Sequence, residues 1–255
     1  TSQLSNLFAL DEFGINPGHV FEQWISGVLK NNGIENLNHL HAHVQQTPPG
    51  GFMLRRQEDT EPLGDLNSPQ LENFLVLVTS DITNQMKVEF PRMWNLYWDD
   101  PQKVNPAVFV RASMAVPIFF KPFMVKEIPR QAVLSSWQTF AEVDDLNRVP
   151  TGARFVDGGM ISNFPINVFY NPHVRAPRLP TFGIMLGDEF SYPAQDYKSL
   201  LGFVGAMFNT IRFNYDKEFL IKNADFNKTI GRIDVSGVNW LNFNISDPEK
   251  LLLFE

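Results

Sequence analysis

The 255 residues contain no cysteine, which excludes disulfides, thiolate nucleophiles and cysteine-ligated metals. The compartment stays open, because a secreted protein can also do without disulfides. Long apolar runs are missing too. The longest, such as LENFLVLVT and AVPIFF, fall far short of the roughly 20 residues that a spanning helix needs. Positive charge is scarce: 21 lysines and arginines stand against 28 acidic residues, a net charge of -7, and no basic run can track a phosphate backbone. Nucleic acid is therefore not an expected partner, and the acidic balance offers no simple attraction to an anionic bilayer. The opening TSQLSNLFALDEFGINPG has no initiator methionine, no basic n-region and no long apolar core, and DPEKLLLFE stops inside an apolar pattern without a capping signal. Both ends read as cut.

What is present suits a packed fold. Apolar residues make up 44% of the chain, enough for a two- or three-layer core in one domain, and residues 1–255 are expected to form a single one. NPGHVFEQWISGVLKNNG predicts a helix capped by Asn16 with Pro17 in its first turn, Val20, Trp24 and Val28 repeating with Ile25 and Leu29, and Gly33 closing it. A shorter helix follows, with Leu37 and Leu40 inward. Residues 45–70, rich in proline, glycine and charge, read as a surface excursion. LENFLVLVTSDI then has the continuous apolar character of a strand buried on both faces, which predicts a parallel or mixed sheet. Asn105 and Pro106 start another helix, which must end by Val116 because Pro117 disfavours the α region for its predecessor.

Residues 124–152, with Trp137, Phe140 and the run EVDDLNR, read as an insertion holding one short helical piece. RFVDGG returns to strand, SNFPINVF to a capped helix and TFGIMLG to a buried strand, an α/β alternation. Residues 198–255 extend it with an amphipathic helix and a half-buried strand around 237–246. Phe203 and Phe208 in that helix, with Trp240 beyond, are the candidates for lipid contact, although core packing is the competing role.

FVDGGMISNFPINVF, residues 155–169, places Asp157 between an apolar strand and two glycines. Gly158 and Gly159 permit a tight turn and close backbone approach, so Asp157 can be held at the strand's C-terminal edge, where open α/β sheets place ligands. The competing role is local: an Asx-type turn in which the carboxylate accepts backbone amides.

RASMAVPIFFKPF at 111–123 and FVDGGMISNFPINVF together resemble the patatin-like phospholipase family of serine lipid acyl hydrolases. The likeness is carried by Arg111, Ala112, Ser113 and Pro117, then by Asp157, Gly158, Gly159, Asn163 and Pro165, and it extends over most of residues 16–190. It implies a three-layer α/β/α fold around a mostly parallel central sheet, here incomplete at the N-terminus. It also implies a Ser-Asp catalytic pair acting on phospholipids or other acyl-ester lipids, with peripheral membrane contact and no cofactor. By carry-over Asp157 is the general base, Gly158 and Gly159 position the turn, and Arg111, Ser113, Pro117, Asn163 and Pro165 form the supporting shell.

The family's G-x-S-x-G nucleophile elbow and glycine-rich oxyanion loop are absent from these residues. Either an upstream segment of the same protein supplies them, or the chain is a non-catalytic relative that binds lipid or a protein partner. Ser113 lies in a helical run and Ser26 beside Trp24, so both read as packing or capping residues. Arg111 either fastens the proline turn or meets a lipid phosphate. In HLHAH, helical spacing brings only His39 and His43 together, with no carboxylate cluster beside them, so metal is not expected. Asp81, at another strand end, is a candidate either for the same crevice or for a turn, while Asp144 and Asp145 suit a solvated face.

Overall fold

The structure, a computed structural model, describes residues 13–44, 75–162, 164–169, 181–186, 206–207, 210, 217–233 and 246–252. It falls into two units, Thr1–Ile161 and Ser162–Glu255. The first contains β1 (Gly14–Asn16), α1 (His19–Asn31), α2 (Leu37–Val44), β2 (Leu77–Asp81), β3 (Met86–Phe90), α3 (Ala107–Ser113), β4 (Ile118–Phe120), β5 (Phe123–Val125), α4 (Arg130–Ala141) and β6 (Ala153–Asp157). The second contains β7 (Gly183–Leu186), β8 (Ile230–Ile233) and α5 (Asp247–Leu252). Among the described residues no helix is long and apolar enough to cross a membrane.

Local chemistry sets the ends of α1, not always as expected. Asn16 is not the cap: it lies in β1, and its Nδ2 donates to the Phe119 carbonyl at 3.0 Å. Gly18 takes the cap position at φ 76°, a left-handed conformation open to glycine at no steric cost. At the far end Gly33, at φ 78°, donates to the Lys30 carbonyl while the Ile34 amide donates to that of Leu29. This paired pattern is a Schellman closure, with buried Ile34 as its apolar contact.

The helix turns only part of the expected apolar repeat inward. Phe21, Ile25 and Leu29 are half-buried, with Leu29 against the main core, whereas Trp24 is 61% exposed and Val20 and Val28 are exposed beside it. The apolar residues of α1 share one broad face, and among the described residues only the side carrying Phe21, Ile25 and Leu29 is covered. The α2 prediction holds, with Leu37 and Leu40 buried and the Asn36 side chain accepting the His39 amide.

In the run LENFLVLVTSDI, burial is narrower than expected, with Leu75 exposed and Val76 and Leu77 half-buried, and strand direction differs as well. Val78, Thr79, Ser80 and Asp81 are buried in β2, which occupies an inner position in a four-stranded sheet ordered β3-β2-β6-β5. Every pairing in that sheet is antiparallel. A continuous apolar run reports burial on both faces and is silent about direction. The connection decides direction: residues 82–85 turn the chain straight back into β3, far too short for a parallel crossover. Among the described residues, parallel pairing occurs only in two small sheets, β1 with β4 and β7 with β8. Among the described residues, three separate sheets therefore stand where one mostly parallel central sheet is expected, within an α/β arrangement.

The main core lies against the four-stranded sheet. Phe90 stacks on Phe109 at 4.5 Å, Tyr97 meets Phe155 edge-on at 4.8 Å, and the Trp137 indole donates to the Leu96 carbonyl at 2.7 Å. Each such buried ring stabilises the fold by about 1.5–3 kcal/mol. Residues 124–152, expected as an insertion, contribute directly to this core: β5 pairs with β6, and α4 buries Val133 and Trp137.

In the second unit Ile166, Leu220 and Ile230 form a smaller core with Phe164, Met185, Phe219 and Phe226 packed around it. TFGIMLG does form β7, but not as a strand buried throughout, since Ile184 is exposed. After Pro165 the chain makes only a 3-10 turn, Ile166–Phe169, where a helix is expected. Phe203, Phe208, Trp240, the excursion at 45–70 and most of the amphipathic helix and half-buried strand expected within 198–255 lie outside the described residues.

Candidate active site

Asp157 is the last residue of β6, where the strand passes into a 3-10 turn, Gly158–Met160. Three hydrogen bonds fix it. Its amide donates to the Ala115 carbonyl at 3.0 Å, its carbonyl accepts the Ser80 hydroxyl at 3.1 Å, and its Oδ1 accepts the Gly159 amide at 2.7 Å. The last of these is the Asx-type contact that the local reading anticipates. It also sets the direction of a half-buried carboxylate at a strand end.

The two glycines act differently. A β-carbon on Gly158 would overlap the carbonyl oxygen of Val78, an obstacle of backbone that cannot swing aside. The turn therefore needs glycine at 158 because β2 is so close. Gly159 supplies the amide that orients Asp157.

The segment RASMAVP is brought to this turn. Ser113, at the end of α3, donates its hydroxyl to the Val78 carbonyl at 2.7 Å, and Ala115 supplies the acceptor for the Asp157 amide. Pro117 sits between α3 and β4, and Ile118 after it has φ 75°, a left-handed conformation strained for a β-branched residue. Arg111 is 2% exposed, and its Nη2 donates to the Pro17 and Lys121 carbonyls at 2.8 and 2.5 Å. Its Nη1 is buried without an acceptor among the described residues. Burial pulls the guanidinium pKa down, opposed by the charge of Glu22.

Other sequence candidates lie elsewhere or do other things. Ser26 accepts a hydrogen bond from the Asn105 side chain at 2.7 Å. Asp81 does not share the Asp157 turn: in the antiparallel pairing it stands opposite Phe155, while Asp157 stands opposite Thr79. Its carboxylate instead organises the β2–β3 turn by accepting the Thr83 and Asn84 amides and the Asn84 side chain. Tyr97, a partner that sequence reasoning missed, donates its hydroxyl to Asp81 at 2.9 Å. Its pKa is pushed far up by burial first, then by the adjacent Asp81 charge. A buried tyrosine hydroxyl needs an acceptor, but nothing in the residue spacing pointed to Asp81.

His39 accepts the Glu35 amide through Nδ1, and among the described residues no group of three His, Cys, Asp or Glu side chains comes together to hold a metal. Asp145 caps a short 3-10 turn by accepting the Asn147 amide. Pro165 begins the turn at 166–169, and Asn163 lies outside the described residues. Chemically, a fixed carboxylate of this kind can take a proton from a hydroxyl placed against it.

The family model described as "Patatin-like phospholipase" matches residues 4–170, which include both the RASMAVP segment and the DGG turn. An "Uncharacterized protein YqhO" of Bacillus subtilis (strain 168) is 25% identical over 244 residues, covering 95% of this chain. The chain spans 64% of the length of that relative. No solved structure gives a significant match. With the family match extending over most of the first unit and through both turns, the chain belongs to the patatin-like phospholipase family.

Proposed function

We propose that the protein hydrolyses acyl esters of phospholipids or related lipids, with Asp157 as the general base of a Ser-Asp pair. The nucleophilic serine and the oxyanion donors come from an upstream segment of the same polypeptide, and residues 1–255 belong to one patatin-like domain. The observation that carries this reading is the three-point fixation of Asp157 at the end of β6, bonded directly to the RASMAVP segment.

An ordinary aspartate has a pKa near about 3.9 and is a feeble base at neutral pH, so the pair works only with direct hydrogen bonding and partial exclusion of water. Asp157 takes the serine proton as the hydroxyl attacks the acyl carbonyl and passes it to the departing alcohol as the ester bond breaks. Water then attacks the acyl-enzyme, Asp157 takes its proton and returns it to the serine oxygen, and the fatty acid leaves. Gly158 and Gly159 hold the turn, while Arg111, Ser113, Pro117, Asn163 and Pro165 support it. Phe203 and Phe208 meet the lipid surface at the membrane periphery. The reaction needs no cofactor.

One observation favours a second reading, a family member that binds lipid or a protein partner without turnover. No G-x-S-x-G occurs in the 255 residues, and the hydroxyls of Ser113 and Ser26 are engaged in structural hydrogen bonds. An aryl-ester assay separates the two. Residues 1–255 alone should be inert, and the intact parent protein active. Turnover by the short chain that disappears on replacing Ser113 or Ser26 would overturn the upstream-serine proposal, and an inert parent would favour the binding role.

A further inference from the structure

We infer that Arg111 is a positioning residue for Asp157, acting through a strap of residues, 111–121, that its own side chain closes. The inference rests on the reading of Asp157 as the general base. Arg111 lies in the last turn of α3, and its Nη2 reaches the carbonyl of Lys121, ten residues on, at 2.5 Å. The same nitrogen donates to the Pro17 carbonyl at 2.8 Å, which ties the closed strap to the joint between β1 and α1.

Between the two ends, the strap holds the site. Ser113 bonds the Val78 carbonyl, and two residues on Ala115 accepts the amide of Asp157. The strap also contains Ile118 at φ 75°, a conformation that persists only where the surroundings over-determine it. That constraint comes from the β1–β4 register, with Gly14 opposite Ile118 and Asn16 opposite Phe120, and from the Arg111 closure beside it.

The guanidinium is also fitted from its other side. A β-carbon on Gly18 would overlap Arg111, so the plane of the guanidinium lies directly on the glycine that precedes α1. Lysine cannot reproduce this, because a tetrahedral ammonium lacks the flat face and the fork of Arg111. Loosening the clamp releases the strap, Ala115 withdraws its carbonyl, and Asp157 loses the backbone bond that ties its main chain to the strap.

The experiment is residue-resolved amide hydrogen exchange on the intact protein, comparing wild type with Arg111→Lys. The Asp157 amide is expected to exchange at least about tenfold faster relative to the Val88 amide of β3, because the opening is local. Equal acceleration at both amides, or none at Asp157, overturns the proposal. Should Arg111→Lys fail to fold, Gly18→Ala displaces the guanidinium from the opposite side and must give the same selective change. In the active protein Arg111→Lys lowers kcat about tenfold with KM within about twofold, and an unchanged kcat contradicts the positioning role. If the wild-type protein shows no turnover, the hydrolase reading fails, while the exchange measurement still decides whether the clamp exists.

Discussion

The carbonyl of Ala115 accepts the amide of Asp157 at 3.0 Å, so the turn that ends α3 and the turn that ends β6 form one hydrogen-bonded unit. The acceptor is backbone, which makes the link insensitive to the side chain at 115 and sensitive to anything that moves the strap. It also joins two sequence motifs more than forty residues apart.

Gly158→Ala tests the close passage over β2. The new methyl group must displace the Val78 carbonyl, which Ser113 also uses, and overpacking of this kind costs about 1–3 kcal/mol. The urea midpoint should fall with an unchanged m-value. An alanine variant as stable as wild type would show that β2 and the DGG turn are not in contact.

Gly33→Ala isolates the cost of backbone conformation. Among the described residues nothing lies within 4 Å of the position where a β-carbon would stand, so the expected penalty is that of the left-handed φ of 78°, about 1–2 kcal/mol. A thermal unfolding scan reads it directly, and no loss of stability would contradict the Schellman closure of α1.

Tyr97→Phe removes one donor from the buried Asp81 carboxylate and should cost about 1–3 kcal/mol. The alkaline dependence carries the second signature. Burial and the Asp81 charge raise the Tyr97 pKa above its ordinary 10.0, so the folded protein keeps a proton that the unfolded chain gives up. This stabilisation is complete below pH 10 and is lost as the pH rises beyond it. The phenylalanine variant should lose that part of the alkaline slope.

His41 governs part of the acid side. Burial lowers its pKa below the ordinary 6.5, so as the pH falls through that value the unfolded chain takes up a proton that the folded protein resists. Stability should therefore decline with acidification below pH 6.5, and His41→Gln should flatten the decline. Identical pH profiles for the two proteins would show that His41 does not sense the fold.

Much of this arrangement is legible in the sequence where chemistry is local. Gly33 announces its helix end, Leu37 and Leu40 their buried face, and Asn105 its cap, whose Oδ1 accepts the Ala107 amide at 2.9 Å. The Asp-Gly-Gly turn and its strand are equally plain, because glycine demand and apolar patterning act over a few residues. What fails is what depends on distant partners. Strand direction in β2 follows from a turn and from β6, not from the apolar run itself. Trp24 is apolar and helically spaced, yet exposed, because periodicity cannot say which part of a broad apolar face finds a neighbour. The Asp81–Tyr97 bond and the Arg111 closure join residues 16 and 10 positions apart through folds of the chain that no spacing rule encodes.

The central claim is that Asp157 takes a proton from a serine hydroxyl. Steady-state ester hydrolysis by the intact protein and its Asp157→Asn variant, matched for fold by circular dichroism, tests it most directly. The amide keeps the size of the carboxylate and loses its basicity, so turnover should fall by about a hundredfold to ten-thousandfold. Equal turnover by the two proteins would contradict the account.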